Sequence, residues 1–225
     1  VARAAILGHG GGMLRRDLLA AAMGALICGC GSAEQAQRRT APEPELAGAA
    51  APAPATRPSG QIALGYFAGG CFWGVEHFLE ALPGVIDVES GYMGGEMDAP
   101  SYEAVSSGAT GHAETVRVRF DPAQISYEAV ARRFFEIHDP TEVDRQGPDI
   151  GDQYRSAVFV QGPEERRVVE GLIAALKANG YAVATTIHEA TSFWPAEGYH
   201  QDYYARTGKQ PYCHRPVPRF DERAE

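Results

Sequence analysis

Cysteine is scarce in this chain: its 225 residues hold four, Cys28, Cys30, Cys71 and Cys213. Their spacing fits neither a zinc ribbon nor the dense disulfide framework of a small secreted domain. At most one bridge, Cys71 to Cys213, ties the later part of the chain together, and two cysteines so far apart suit a reversible redox pair better than a staple. Positive charge is also short, with 20 Lys and Arg against 29 Asp and Glu and a formal net charge of -9. That deficit argues against a nucleic-acid partner, which wants a basic surface, and against anionic membrane surfaces. Long apolar runs are missing too, since the stretch from Leu18 to Ile27 is too short for a permanent transmembrane helix. No HxxxH or HExxH pair occurs among the seven histidines, so no metal site is expected.

The first thirty residues read as an address. Met13-Leu14-Arg15-Arg16 opens a basic region before the alanine-rich apolar run, which is a secretory signal pattern. Leu26-Ile27-Cys28-Gly29-Cys30-Gly31-Ser32 resembles a bacterial lipoprotein cleavage site with Cys30 as the lipidated residue, although Cys28 stands where a small or hydroxylated residue is usual. Arg15-Arg16-Asp17-Leu18-Leu19 also resembles a twin-arginine export signal. Residues before Met13 carry no such pattern, which makes Met13 a candidate start. From Gly31 to Ser59 the chain is Ala, Pro, Gln, Glu and Arg with almost no large apolar side chain, too little to offset its ordering entropy. The organisation expected is therefore an export segment over 1–30, a disordered tether over 31–59 and one domain over 60–225, exported to the periplasm or anchored to a bacterial membrane as a lipoprotein, and monomeric.

The domain is organised around Gly69-Gly70-Cys71-Phe72-Trp73-Gly74-Val75-Glu76. Ile62 to Ala68 before it has the length and aromatic content of a buried strand, while Val75, Phe78, Leu79 and Leu82 after it recur at helical spacing. The two glycines then make a strand-to-helix turn with Cys71 at the helix N-terminus, where free backbone N–H groups and the helix dipole favour a thiolate. The residues themselves leave two readings open: an activated nucleophile, or a small buried hydrophobe at a helix start. Further on, Val85 to Ser90 and Thr115 to Phe120 alternate as strands, and Gly91 to Gly95 reads as a glycine-rich bend. Pro100 to Val105 reads as a short helix, and Ser126 caps a helix with Ala129, Val130, Phe134, Phe135 and Ile137 on one face. A long polar loop runs from His138 to Ser156, of a length that is often functional. Ala157 to Val160 is a strand, Pro163 to Asn179 a helix closed by Gly180, and Thr185 to His188 a weaker strand. Phe193 to Tyr204 reads as a bend continuing into a helix, and Gly208 to Glu225 as an irregular tail. Strands alternating with helices predict a two-layer α/β sandwich with a mixed sheet.

Five motifs in order, Gly70-Cys71-Phe72-Trp73-Gly74-Val75-Glu76, Gly111-His112-Ala113-Glu114, Gln153-Tyr154-Arg155-Ser156, Phe193-Trp194-Pro195-Ala196-Glu197 and His200-Gln201-Asp202-Tyr203, resemble those of the peptide methionine sulfoxide reductase A family. The resemblance spans about Gly60 to Cys213 and implies a ferredoxin-like α/β roll that reduces the S epimer of methionine sulfoxide, free or in proteins. A sulfoxide sulfur is a poor electrophile until its oxygen is protonated or hydrogen-bonded, so the chemistry needs a nucleophile, an acid and an apolar cup for the S-methyl group. The resemblance assigns Cys71 as nucleophile, Glu114 as acid, and Tyr102 and Tyr154 as hydrogen-bond donors to the sulfoxide oxygen. It also gives Phe72 and Trp73 as the methyl pocket, and Asp149 as a residue orienting the substrate backbone or a neighbouring donor. Attack leaves a sulfenic acid on Cys71, which Cys213 resolves as a disulfide for an external thioredoxin-like dithiol to reduce, with no cofactor. Pro148, Ile150 and Trp194 depart from residues common in the family at those positions. A thiol peroxidase or a redox-sensing surface lipoprotein would share the two cysteines without needing Glu114 beside two tyrosines.

Overall fold

The computed structural model describes residues 60–220. The export segment with Cys28 and Cys30, the tether over 31–59, and residues 221–225 lie outside the described residues. In chain order the elements are β1 (Ala63–Gly69), α1 (Phe72–Glu80), β2 (Val85–Met93), α2 (Tyr102–Ser106), β3 (Ala113–Phe120), α3 (Tyr127–Ile137), β4 (Arg145–Gln146), β5 (Asp149–Ile150), a short 3-10 turn (Asp152–Tyr154), β6 (Ser156–Val160), α4 (Pro163–Ala178), β7 (Thr186–Glu189), β8 (Trp194–Pro195) and α5 (Tyr203–Thr207). Among the described residues no helix is long and apolar enough to cross a membrane.

Six strands form one sheet in the order β7-β6-β1-β3-β2-β8, and β4 pairs with β5 as a separate hairpin. The four central strands run antiparallel as β6-β1-β3-β2. With α1 joining β1 to β2 and α3 joining β3 to β6, this is the split βαβ arrangement of ferredoxin-like folds. β7 lies parallel to β6, which makes the sheet mixed and requires α4 as the crossover between them.

Period-2 alternation in the strands sorts residues between the two faces. Phe67, Val116, Val118 and Phe120 enter the main core, where they meet Phe72, Val75 and Leu79 of α1, Val130, Phe134 and Phe135 of α3, and Val169, Leu172 and Leu176 of α4. Ala68, Met93, Ala113, Ala157 and Phe159 form a smaller cluster of their own. The helices start where capping chemistry places them: Ser126 Oγ accepts from Ala129 N at 3.1 Å, Ser101 Oγ from Ala104 N at 3.3 Å, and Pro163 opens α4.

Two expectations need correction. β2 continues through Gly91, Tyr92 and Met93, where the glycines read as a bend, because β3 and β8 pair with this stretch from both sides and the ladder outweighs the glycine cost. The helix read within 193–204 begins only at Tyr203. Gln201 holds the preceding turn instead, accepting from Ser90 N at 2.9 Å and donating to Ser90 O and Ala196 O at 2.9 Å each.

Phe67 is fully buried, with its ring 5.1 Å from that of Phe134 and 5.9 Å from that of Tyr127. Phe67→Ala should cost about 3–5 kcal/mol through the cavity it leaves between sheet and α3. Urea unfolding checks this, and a loss under about 1 kcal/mol would show that the layer closes over the gap.

Candidate active site

β1 ends at Gly69, and Gly70 turns the chain with a φ of 94°, so that Cys71 becomes the N-cap of α1. A side chain at Gly70 would meet Gln146, whose amide is fixed on Asp139 N and O. Cys71 is only 6% exposed. Glu114 sits on the helix-facing side of β3, in step with Val116 and Val118, which brings its carboxylate under the start of α1. There Oε2 accepts from Phe72 N at 3.0 Å. Burial pushes Glu114 up to about 8, against the stabilising Phe72 hydrogen bond, with Asp149 and Cys213 adding to the rise. At neutral pH this carboxyl therefore holds a proton.

Cys213 is brought to the same place. Cys71 Sγ, Cys213 Sγ and an Asp149 carboxylate oxygen lie within 4.8 Å of one another, and both cysteines are reduced. Their charges differ from the expectation. The hydrogen bond with Cys213, burial and the Glu114 carboxylate hold Cys71 well above the ordinary thiol range, and the lowering backbone hydrogen bond from Trp73 at the helix start is outweighed. The Cys71 hydrogen bond and His214 hold Cys213 below the ordinary thiol range, against burial. Of the two thiols, Cys213 is therefore the one placed to lose its proton more readily.

Residues 208–220 carry no helix or strand beyond the α5 end, yet Cys213 is held by its neighbours. Tyr212 Oη donates to Asp149, 3.0 Å from each carboxylate oxygen, which ties the tail to β5. Arg215 N donates to Ile137 O at 3.2 Å, Val217 N to Glu136 O at 2.8 Å, and Arg219 to Glu136 O at 2.9 Å, which fastens the tail to the last carbonyls of α3.

Tyr102 and Tyr154 are half-buried and share one electrostatic environment with Glu114, Cys71 and Asp149; burial raises both phenols first, and those acids raise them further. Both remain neutral donors at working pH. Of the proposed methyl pocket, Phe72 is buried, with its ring 5.9 Å from that of Tyr92 and 5.0 Å from that of His200. Trp73 reaches the surface, stacked on Tyr203 at 3.7 Å.

Two residues without an assigned role complete the frame. Glu197 accepts from Tyr102 N and from Tyr92 Oη, each at 2.9 Å, which fixes the start of α2 against β2. His200 Nδ1 accepts from Trp73 Nε1 at 3.0 Å; an indole N–H only donates, so the proton of this neutral ring is on Nε2. Their presence in the last two sequence motifs was the only signal. His112 is used in structure, bonded to Gly95 N and Met97 O. His138 is bonded to Phe134 O and Ser156 Oγ. A cavity of about 540 Å³ lined by Leu64, Tyr127 and Glu165 shares none of the site's residues.

The buried carboxyl has a consequence for stability. Its folded pKa lies above the unfolded value of about 4.3, so folding favours the protonated group; that stability is complete below about pH 4 and is lost as the pH rises through about 8. Glu114→Gln keeps an acceptor for Phe72 N but cannot ionise. It should flatten part of the decline between pH 5 and 9, with the remainder due to Glu76, which burial also raises to about 8. Denaturation midpoints at pH 5, 7 and 9 test this, and parallel slopes for parent and variant would contradict it.

Residues 63–225 match the family model described as peptide methionine sulfoxide reductase. Peptide methionine sulfoxide reductase MsrA of Thermus thermophilus is 49% identical over 148 residues, which cover 65% of this chain and 84% of that protein. Among solved structures, Mxr1 from Saccharomyces cerevisiae in reduced form aligns with a TM-score of 0.67 at 33% identity, covering 70% of this chain and 93% of that one. Methionine sulfoxide reductase A of Corynebacterium diphtheriae aligns with a TM-score of 0.60 at 34% identity, covering 68% and 79%. By the family model over most of its length and by these relatives, the chain belongs to the peptide methionine sulfoxide reductase A family.

Proposed function

We propose that this chain reduces the S epimer of methionine sulfoxide, free or in proteins, to methionine. The observation that carries the reading is the placement of a protonated, buried Glu114 on the backbone N–H next to Cys71, with a second thiol already beside the first. Glu114 gives its proton to the sulfoxide oxygen while Tyr102 and Tyr154 donate hydrogen bonds to it, which makes the sulfoxide sulfur electrophilic. Cys71 attacks, its thiol proton replaces the one that Glu114 gave up, and the oxygen ends on the Cys71 sulfur. Methionine leaves with two electrons gained, and Cys71 remains as a sulfenic acid. Cys213 then displaces that oxygen as water and forms the Cys71–Cys213 disulfide. A thioredoxin-like dithiol reduces the disulfide, and no cofactor enters the cycle.

Assayed on separated epimers, the parent should turn over the S form, and Cys71→Ser should lose all turnover, since a hydroxyl cannot replace the sulfur nucleophile. Glu114→Gln should slow methionine release by about a hundredfold or more. The parent rate should fall as the pH rises through about 8, where Glu114 loses its proton, and the variant should lack that fall. Turnover by Cys71→Ser, or turnover of peroxide in place of sulfoxide, would overturn the reading.

The location proposed is the periplasmic side of a bacterial membrane, with the monomeric domain tethered through a lipid on Cys30. The support is the apolar run, the Ile27-Cys28-Gly29-Cys30 site and the Pro-rich stretch behind it. Fractionation should find the mature protein in membranes, released by Cys30→Ala. A soluble cytosolic chain with Met23 still attached would contradict it.

A further inference from the structure

His214 has no part in the chemistry described so far, yet it is 4% exposed and bonded through both ring nitrogens. Nε2 lies 2.7 Å from Gly69 O and Nδ1 lies 3.0 Å from Cys213 Sγ. A carbonyl oxygen only accepts, so Nε2 carries the ring proton, and Nδ1 turns its lone pair to the Cys213 thiol. The imidazole occupies space that exists only because the third residue of α1 is glycine: a Cβ at Gly74 would stand 2.2 Å from Nδ1. The glycine of the Cys71 motif and the histidine of the tail are thus two halves of one contact.

Resting on the reductase reading, we propose that His214 is the catalytic base of the resolving step, and that Gly69 O and the bare Gly74 backbone are its seat. Once Cys71 is a sulfenic acid, the Cys213 thiol proton passes to Nδ1 and the Cys213 sulfur attacks the Cys71 sulfur. The S–S bond forms as the S–O bond breaks. The hydroxide leaves as water with the proton returned from Nδ1, and Cys213 is oxidised as the sulfenic sulfur is reduced. Both charge states of the ring are fully bonded, because the imidazolium donates to Gly69 O through Nε2 and to the thiolate through Nδ1. That lets the proton move without the tail shifting. The other titratable groups facing this pair are Cys71 at the α1 start, Glu114 of β3, Asp149 of β5, Tyr204 of α5, Tyr212 of the tail and His138 after α3. Glu114 and Asp149 oppose a thiolate here, while the ring beside Cys213 favours it.

The test is His214→Gln, whose amide nitrogen reaches Gly69 O as Nε2 does but leaves no base at Cys213. In single turnover with the S-sulfoxide, the variant should release one methionine per enzyme and accumulate the sulfenic acid. Disulfide formation should be slower by about tenfold or more at pH 7, and should recover toward alkaline pH as Cys213 returns to an ordinary thiol pKa of about 8.5. Disulfide formation at the parent rate with an unchanged pH profile would overturn the proposal, as would loss of the methionine burst from a folded variant, which would place His214 in the first step. Failure of the parent to release methionine would instead sink the reductase reading. A second measurement avoids turnover: alkylation of Cys213 in a Cys71→Ser background should have its pH midpoint below the ordinary thiol range, and His214→Gln should move it up. Equal midpoints would refute the base.

Discussion

One backbone hydrogen bond, from Phe72 N to Glu114 Oε2, is the constraint on which the site depends. It joins the first turn of α1 to the start of β3, and it satisfies one of the free N–H groups of a helix start with a group that must itself be buried to work. The same bond lowers the Glu114 pKa and burial raises it. Burial wins, which leaves a carboxyl near 8 able to act as an acid at neutral pH. Without the helix N–H the carboxyl would have no reason to enter the core. Without the core it would titrate like any surface glutamate.

Around that bond the molecule divides its two thiols by environment. Cys71 sits deeper, next to a carboxyl, and is held above the ordinary thiol range. Cys213 sits beside an imidazole and carries the readier negative charge. This assignment runs opposite to a simple helix-dipole argument. The Cys213 hydrogen bond, burial and the neighbouring Glu114 all act against the one lowering contact at the helix start, the Trp73 backbone hydrogen bond.

Much of the fold was legible because the decisive signals are local. The Gly69-Gly70-Cys71 turn, the alternation in Thr115 to Phe120 and the Ser126 cap all stand where the sequence puts them, within a residue or two. What was not legible depends on partners far away in the chain. Gly91 to Met93 reads as a bend until β3 and β8 pair with it. Glu197 and His200 lie in recognisable motifs, but their roles come from Tyr102, Tyr92 and Trp73, roughly a hundred residues earlier. The tail lacks any periodicity, and an irregular segment looks free to swing. Its order comes instead from the backbone N–H groups of Arg215 and Val217 and the Arg219 guanidinium on α3 carbonyls, from Tyr212 on Asp149, and from His214 in the space beside Gly74.

The central claim is that the sulfoxide oxygen is transferred to the Cys71 sulfur in a site where Cys213 waits as the resolving thiol. Trapping with a sulfenic-acid reagent such as dimedone, in a Cys213→Ser variant mixed with one equivalent of the S-sulfoxide, tests it most directly. Peptide mass mapping should find one adduct per methionine released, on Cys71. Methionine released without an adduct on Cys71 would contradict the account.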